Sequence, residues 1–421
     1  MKKIIFLLTC LLVSSTLLSK QEELQISCAD STDIQTKSMN VSIPRPQKLK
    51  VSGYIQTQFQ HGLENASLNV GTKNNDPEKN FNRIGIRRGR IKFAYDEGIA
   101  SGVFQLDITD KGVDVKDAYL NIKDTWTGEN SLRAGVFDRP FGYEISYSSS
   151  NRESPERTLL FQTLFPNERD LGTMVTLQPS NVPHWNYVKL QAGLFAGNGI
   201  KQETDNRKDF IGHLLASKTI SSALTIGMGV SYYLGNVYQG TENVYKMHNH
   251  SFVLNKESTN QGRYARREYF GFDMQLEVAN LVGRTQVRGE YLFGTQPGTH
   301  LSSKSPNTST PVASDTYIRN FNGGYVMLIQ DLGNLPLSAV IKYDWYDPNA
   351  KIAANDIGLN QTGKADIAYS TLGLGFVWQV VNSVRVQAYY DIVNNEKSEN
   401  LSGYEKDIKD NVFTLRLQYK F

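Results

Sequence analysis

The chain has 421 residues, a formal net charge of +3, and 39% hydrophobic and 11% aromatic side chains. So nearly neutral a chain offers no footing for nucleic acid, and its length suits one large barrel or two ordinary domains rather than a small module. Its 22 Tyr and 19 Phe against 4 Trp, with 34 Gly, suit strands that face lipid on one side and water on the other, and equally a soluble β-sandwich.

At the N-terminus Lys2 and Lys3 precede an apolar run from Ile4 to Val13, followed by Ser14, Ser15 and Thr16. This is a charged n-region and an h-region of signal length, too short to cross a bilayer as a helix. Cleavage is expected near Ser19, which makes residues 1–19 a signal peptide. Leu7-Leu8-Thr9-Cys10 also loosely fits a lipoprotein signal, though the apolar run before Cys10 is short. If Cys10 leaves with the signal, Cys28 remains alone and no intrachain disulfide can form. Residues 20–48, rich in Ser, Thr, Gln and Lys and ending in Pro44-Arg45-Pro46, read as a flexible leader. No later apolar stretch approaches the roughly 18 residues of a transmembrane helix.

From residue 49 to 421 the period is two. In the first strand Val51, Gly53, Ile55, Thr57 and Phe59 alternate with Ser52, Tyr54, Gln56, Gln58 and Gln60. Further on, Phe270, Phe272, Met274, Leu276 and Val278 alternate with Gly271, Asp273, Gln275 and Glu277. In the last strand Phe413, Leu415, Leu417, Tyr419 and Phe421 alternate with Thr414, Arg416, Gln418 and Lys420. Dyads of about ten residues have the length a tilted strand needs to cross a bilayer. About sixteen such segments are predicted, near 50–60, 83–95, 99–110, 113–122, 131–138, 169–178, 186–196, 209–219, 223–235, 265–278, 284–294, 318–330, 336–346, 366–378, 382–393 and 411–421. Asp96-Glu97-Gly98, Ser180-Asn181-Val182-Pro183 and Val381-Asn382-Ser383 look like tight turns. The stretches 61–82, 139–168, 236–264, 295–317, 347–365 and 394–410 are long and polar, the pattern of short periplasmic turns and long external loops.

A secreted sandwich or adhesin is the alternative that alternation alone permits. Against it, the expected outward faces carry aromatics near their ends: Tyr291, Phe293, Tyr343, Trp345, Trp378, Tyr419 and Phe421. These match the interface girdles of a barrel in the outer-membrane lipid. The predicted fold class is therefore all-β, a transmembrane antiparallel β-barrel of about 16 strands.

Arg88, Arg90 and Lys92 share a parity opposite to Ile91, Phe93 and Tyr95, so they are expected to form a column facing the lumen. A charge on the lipid face would cost roughly 2–4 kcal/mol at the midplane. Arg133 and Arg139 share the inward parity of their strand, and Arg416 and Lys420 that of the last. The stretch after Pro140 is long for a structureless connection, which marks it as functional. Between 139 and 170 the cations Arg139, Arg152, Arg157 and Arg169 face the carboxylates Glu144, Glu153, Glu156, Glu168 and Asp170, which is no excess of positive charge.

Several runs resemble a known family. Val51-Ser52-Gly53-Tyr54-Ile55-Gln56-Thr57-Gln58-Phe59, Arg87-Arg88-Gly89-Arg90-Ile91-Lys92-Phe93 and Asp117-Ala118-Tyr119-Leu120 are similar to the phosphate-selective porin O and P family. So are Arg133-Ala134-Gly135-Val136-Phe137-Asp138-Arg139-Pro140-Phe141-Gly142-Tyr143-Glu144, Pro155-Glu156-Arg157 and Arg169-Asp170-Leu171-Gly172. The likeness spans about 50–421 and is strongest between 83 and 172. It implies a bacterial outer-membrane porin of sixteen strands, usually a homotrimer, passing small anions such as phosphate. It also makes 139–168 an inward-folded constriction loop that includes Pro140, Phe141, Gly142, Glu144 and Glu156. Arg157 and Arg169 would then join the pore lining. The terminal Leu415 to Phe421 resembles the signal read by the barrel-assembly machinery.

Other classes find little support. His300-Leu301-Ser302 only loosely resembles the Ser/His spacing of outer-membrane phospholipases and has no following Asn-Gly. His248-Asn249-His250 lies in a long polar loop, where solvation is commoner than metal binding. There is no GxSxG elbow and no HExxH helix. The expected function is passive diffusion of small hydrophilic solutes, with no enzyme activity, cofactor or metal.

Overall fold

The computed structural model describes residues 48–76, 79–179, 182 and 184–421. The export signal, the leader up to residue 47 with Cys10 and Cys28, and most of the turn at 180–183 lie outside the described residues.

The first strands are β1 (Leu49–Gly62), β2 (Phe81–Glu97), β3 (Ala100–Thr109), β4 (Gly112–Lys123), β5 (Ser131–Asp138) and β6 (Arg169–Leu177). The next are β7 (Val188–Phe195), β8 (Asp209–Ser221), β9 (Leu224–Tyr238), β10 (Asn243–His248), β11 (Ser251–Lys256) and β12 (Tyr264–Asn280). The last are β13 (Gly283–Gly298), β14 (Thr316–Asp331), β15 (Leu337–Asp347), β16 (Tyr369–Val381), β17 (Val384–Asn395) and β18 (Val412–Lys420). A single α-turn and a half, α1 (Leu159–Leu164), lies between β5 and β6.

Antiparallel pairing runs from β1 to β9, steps from β9 to β12, continues to β18 and closes as β18 pairs with β1. The result is a closed barrel of sixteen antiparallel strands, which leaves the sheet no exposed edge in the lipid. All sixteen wall strands fall where the dyad pattern puts them. The hairpin β10–β11 does not: the sequence reading made 236–264 a polar connection. Its strands are six residues each, too short for alternation to stand out, and β10 adds in parallel to the start of β14 (Val244↔Thr316 to Lys246↔Ile318).

The two faces follow the predicted parity. On β18 Arg416 is 0% exposed and Leu417 51%. On β1 Tyr54, Gln56, Gln58 and Gln60 are buried while Val51 and Ile55 are exposed. Outward aromatics form a connected arc over β8, β9, β12, β13 and β15. Phe210, Tyr232, Phe270 and Phe293 meet in turn at centroid separations of 6.5, 5.0 and 5.5 Å. Tyr291 continues the arc to Trp345 at 6.3 Å. Trp378, Tyr419 and Phe421 lie toward the other end of the wall.

One side of the interior is packed with apolar side chains. Phe137, Phe195, Ile211, Tyr233, Tyr269, Phe321 and Tyr346 point inward from the wall and meet Phe141, Leu160, Phe161, Leu164 and Phe165 from the segment 139–168. Phe165 lies 5.8 Å from Tyr233 and 5.7 Å from Tyr269. Each such side chain contributes roughly 1.5–3 kcal/mol by burial, which holds a six-residue helix that would not persist alone. Pro166 follows Phe165 and stops the helix.

A carboxylate fixes where the segment enters. Gly142 has φ +62°, and this lets successive backbone amides turn onto Glu290 of β13: Tyr143 N–H donates to Oε2 at 2.9 Å and Glu144 N–H to Oε1 at 2.5 Å. The Tyr325 hydroxyl donates to Oε1 at 2.8 Å, and Gly142 N–H donates to Ser231 Oγ at 2.9 Å. A Cβ on residue 142 would stand 2.1 Å from Glu290 Oε2. Gly142→Ala should therefore weaken this anchor by about 1–3 kcal/mol, through both strain and the lost contact. Hydrogen exchange should then speed up at the Tyr143 and Glu144 amides while the wall strands keep their protection. Unchanged exchange at those two amides would show that the carboxylate does not hold the segment.

Candidate functional site

The interior left open by the apolar packing lies against polar wall strands, and much of the wall's hydrogen-bonding capacity there is spent on the segment 139–168. Gln56 Nε2 donates to Ser149 O (3.0 Å), Gln418 Nε2 to Ser150 O (3.0 Å), and Gln387 Nε2 to Arg152 O (2.9 Å). Arg385 donates to Ser150 O (3.0 Å) and Arg152 O (2.8 Å), and Arg416 to Pro155 O (2.7 Å). Irregular backbone inside a barrel needs such partners.

The predicted cations fall into three groups. Arg88 reaches Glu156 at 2.8 Å and Arg416 reaches it at 2.7 Å, and Arg416 also binds Gln58. Arg87, which the parity argument passed over, binds Glu156 with two nitrogens at 2.8 Å each. A register shift between Gln56 and Thr57 inserts one extra residue in β2, so Arg87 and Arg88 both turn inward. Burial by itself would raise the Glu156 carboxyl, but Arg87, Arg88 and Arg416 outweigh it and hold the group well below the usual carboxylate range. It is an ionised hub that three guanidiniums share, and its single charge offsets one of theirs.

A second group builds the loop. Arg139 is fully buried, pairs with Asp170 at 3.0 Å and lies over the Phe165 ring. Arg157 donates to the carbonyls of Glu144 and Ile145 at 2.9 Å and pairs with Glu168. Arg169 bridges Asp117 (3.1 Å) and Glu168 (3.0 Å). Glu144 accepts from Thr158 N–H and Oγ at 3.1 and 3.0 Å and lies 3.5 Å from Lys342. Pro140 and Phe141 are buried at the root of the segment. Arg133 lies over the Tyr119 ring, 4.4 Å from its centroid, with no ion pair among the described residues. The third group borders open space. Arg90 pairs with Asp107 (3.3 Å) and reaches Ser149 (3.2 Å). Among the described residues Lys92 has no ion pair, and the Lys420 ammonium meets Asn151 (3.3 Å) without one.

These residues surround a chamber of about 370 Å³ below the segment, lined by Arg90, Lys92, Arg157, Arg169 and Lys420 with a single carboxylate, Asp117. The serine run 148–150 and Tyr54 complete it. A second chamber of about 630 Å³ lies across Ser150 and Asn151. It is more balanced, with Arg284, Arg385 and Lys420 against Glu153 and Asp331. Sequence parity identifies Arg288, Lys342 and Arg385 as inward by the same rule used for Arg88. Nothing in the sequence links Glu290 to Gly142 or Arg288 to Glu153 (2.8 Å).

The motifs of other classes stay apart. His300 packs at a tilt against Tyr317, 5.3 Å between centroids. His250 bonds Asp356 at 2.9 Å, and no group of three or more potential ligands for a metal occurs among the described residues.

No curated protein matches the chain. Among solved structures the barrel is similar to OmpF of Salmonella typhi, at 12% identity and a TM-score of 0.53, covering 89% of this chain and 97% of that one. It is also similar to OprB of Pseudomonas putida, at 10% identity and a TM-score of 0.52, covering 89% and 94%. A loop-deletion mutant of OmpT from Vibrio cholerae matches at 11% and 0.50, covering 89% and 99%. The family model for the phosphate-selective porin O and P matches residues 87–421. A closed sixteen-strand barrel with a polar interior, matched over most of its length by that model, belongs to the phosphate-selective porin O and P family and is a porin of the bacterial outer membrane.

Proposed function

We propose that the porin passes small anions, phosphate among them, in preference to cations, by passive diffusion and without catalysis. The chamber of about 370 Å³ carries this reading: five cationic side chains line it against one carboxylate. Counting Asp107 and Glu168, which pair with Arg90, Arg157 and Arg169, positive charge still exceeds negative there. Glu144, Glu153 and Glu156 do not add to that count, because each meets a cation outside the chamber: Lys342, Arg288 and Arg88. Fields decay over about 8–10 Å at physiological salt, so such a chamber selects only where the path is narrow. The segment 139–168 is proposed to be that constriction.

Residues 1–19 are proposed as the export signal and 20–48 as a leader. Trimer assembly is proposed through the lipid-facing side of β2–β5. There Gly102, Ala118 and Ala134 form an apolar groove of about 450 Å³ with Phe93, Tyr95, Phe104 and Leu120. Small residues of this kind admit close approach of a neighbour.

Among the described residues Lys92 and Lys420 are the chamber cations without an ion pair, so they can be changed without stranding a carboxylate there. Lys92→Gln with Lys420→Gln should move the permeability ratio toward cations by a few-fold, read as the reversal potential across a planar bilayer under a KCl gradient. An unmoved ratio would make the protein a general diffusion porin.

Phe421 closes the seam, exchanging two backbone hydrogen bonds of 3.0 Å with Gly53. A Cβ on residue 53 would lie 2.6 Å from the Phe421 ring. As the proposed signal for the assembly machinery, Phe421→Asp should lower the folded, heat-modifiable band on gels at unchanged synthesis. An unchanged folded band would remove that role.

A further inference from the structure

The outer mouth holds a pocket of a different character. It is about 330 Å³ in volume and lies between α1, the connection 299–315 and the end of the connection before β16. Leu159 of α1 is 38% exposed, although its neighbours Leu160 and Phe161 are buried, and Leu301 is 78% exposed. Ile367 and Tyr369 form the apolar floor, and Lys304 and Lys364 complete the lining. No carboxylate lines it, whereas both inner chambers contain at least one.

The nearby acids are turned away. Asp366 is fully buried, accepting from Arg319 at 2.8 Å and Asn349 at 2.7 Å. Asp347 accepts from the Asn349 amide at 2.9 Å. Lys364 lies 5.9 Å from the Tyr404 ring centroid, and among the described residues neither it nor Lys304 has an ion pair. The pocket itself is anchored: Ser305 N–H donates to Thr163 O at 3.0 Å, which ties the connection 299–315 to α1.

Two uncompensated ammonium groups above an apolar floor do not suit a small, strongly hydrated ion, which gains nothing from leucine. They suit a molecule that is apolar at one end and negative at the other. We propose that the outer mouth is a binding site for small amphiphilic anions, a ring or short alkyl body bearing a carboxylate, taken up before the basic chamber below. The inference rests on the porin reading only in that solutes enter through this mouth.

Binding can be measured on the folded full-length barrel in detergent by saturation-transfer NMR, with benzoate, acetate and benzyl alcohol as probes. Benzoate should bind at least about tenfold more tightly than either, since each of the others lacks one half of the recognition. Leu159→Ser with Leu301→Ser should bring benzoate down to the affinity of acetate. Lys304→Gln with Lys364→Gln should bring it down to that of benzyl alcohol. All four side chains are exposed, so folding should survive, and KCl conductance of each variant reports the intact channel independently of binding. Equal affinity for benzoate and acetate, or a preference that persists in both double variants, overturns the proposal even if the channel conducts.

Discussion

The segment 139–168 lies inside the barrel because its backbone polar groups find partners there. Backbone outside regular structure is stable at membrane depth only when protein or water satisfies each group. Here the side chains of β1, β13, β17 and β18 supply much of that. Gln56, Gln387, Gln418, Arg385 and Arg416 donate to its carbonyls, and Glu290 accepts from its amides. The apolar packing of α1 against Tyr233 and Tyr269 then adds energy to a path that the hydrogen bonds have already set. Removing Gln56 or Arg416 would leave the Ser149 or the Pro155 carbonyl unpaired at a cost of about 1–3 kcal/mol, whereas Ser150 and Arg152 each keep a second donor.

The same arrangement decides which cations are available to solutes. A guanidinium that donates to two carbonyls and a carboxylate, as Arg416 does, is a structural strut whose field is largely neutralised. Glu156 holds Arg87, Arg88 and Arg416 together in fixed, multiply bonded positions, its one charge shared among the three. What remains for passing ions are the ammonium groups at the rims of the open spaces. Lysine suits that position, being a flexible point charge, whereas the planar fork of arginine favours the fixed, multiply bonded sites. The division of labour between the two residue types follows from their geometry.

Much of the wall was legible in the sequence because alternation is a direct consequence of a strand with lipid on one face. The pattern Leu415, Leu417, Tyr419 against Thr414, Arg416, Gln418 states both the strand and its orientation. Inward direction, however, says nothing about what an inward side chain meets. Arg88 and Arg416 point inward as parity expects and lie against the segment 139–168, engaged by Glu156 and a backbone carbonyl, while Arg157 within the segment pairs with Glu168 and borders the chamber. Arg87 was missed because a bulge shifts register by one residue, and a period of two cannot carry that information. The hairpin β10–β11 escaped because six-residue strands outside the membrane need no lipid-facing alternation. Glu290 and Gly142 are 148 positions apart in the chain, and only the closed barrel brings them together.

That last point bears on the order of folding. The surface that receives the segment spans the seam between the first and last strands: Gln56 bonds Gln418 at 2.7 Å, and both donate to neighbouring carbonyls of the segment. Arg416 joins Gln58 of β1 to Glu156 and to the Pro155 carbonyl. Neither half of this surface exists until β18 has paired with β1, and contacts so distant in sequence form late because the entropy of closing long loops must first be overcome. The apolar half of the segment can pack earlier, since β5 to β9 neighbour it in the chain. Seam pairing therefore completes the surface that residues 149–156 dock on, and their docking is expected to follow closure of the barrel.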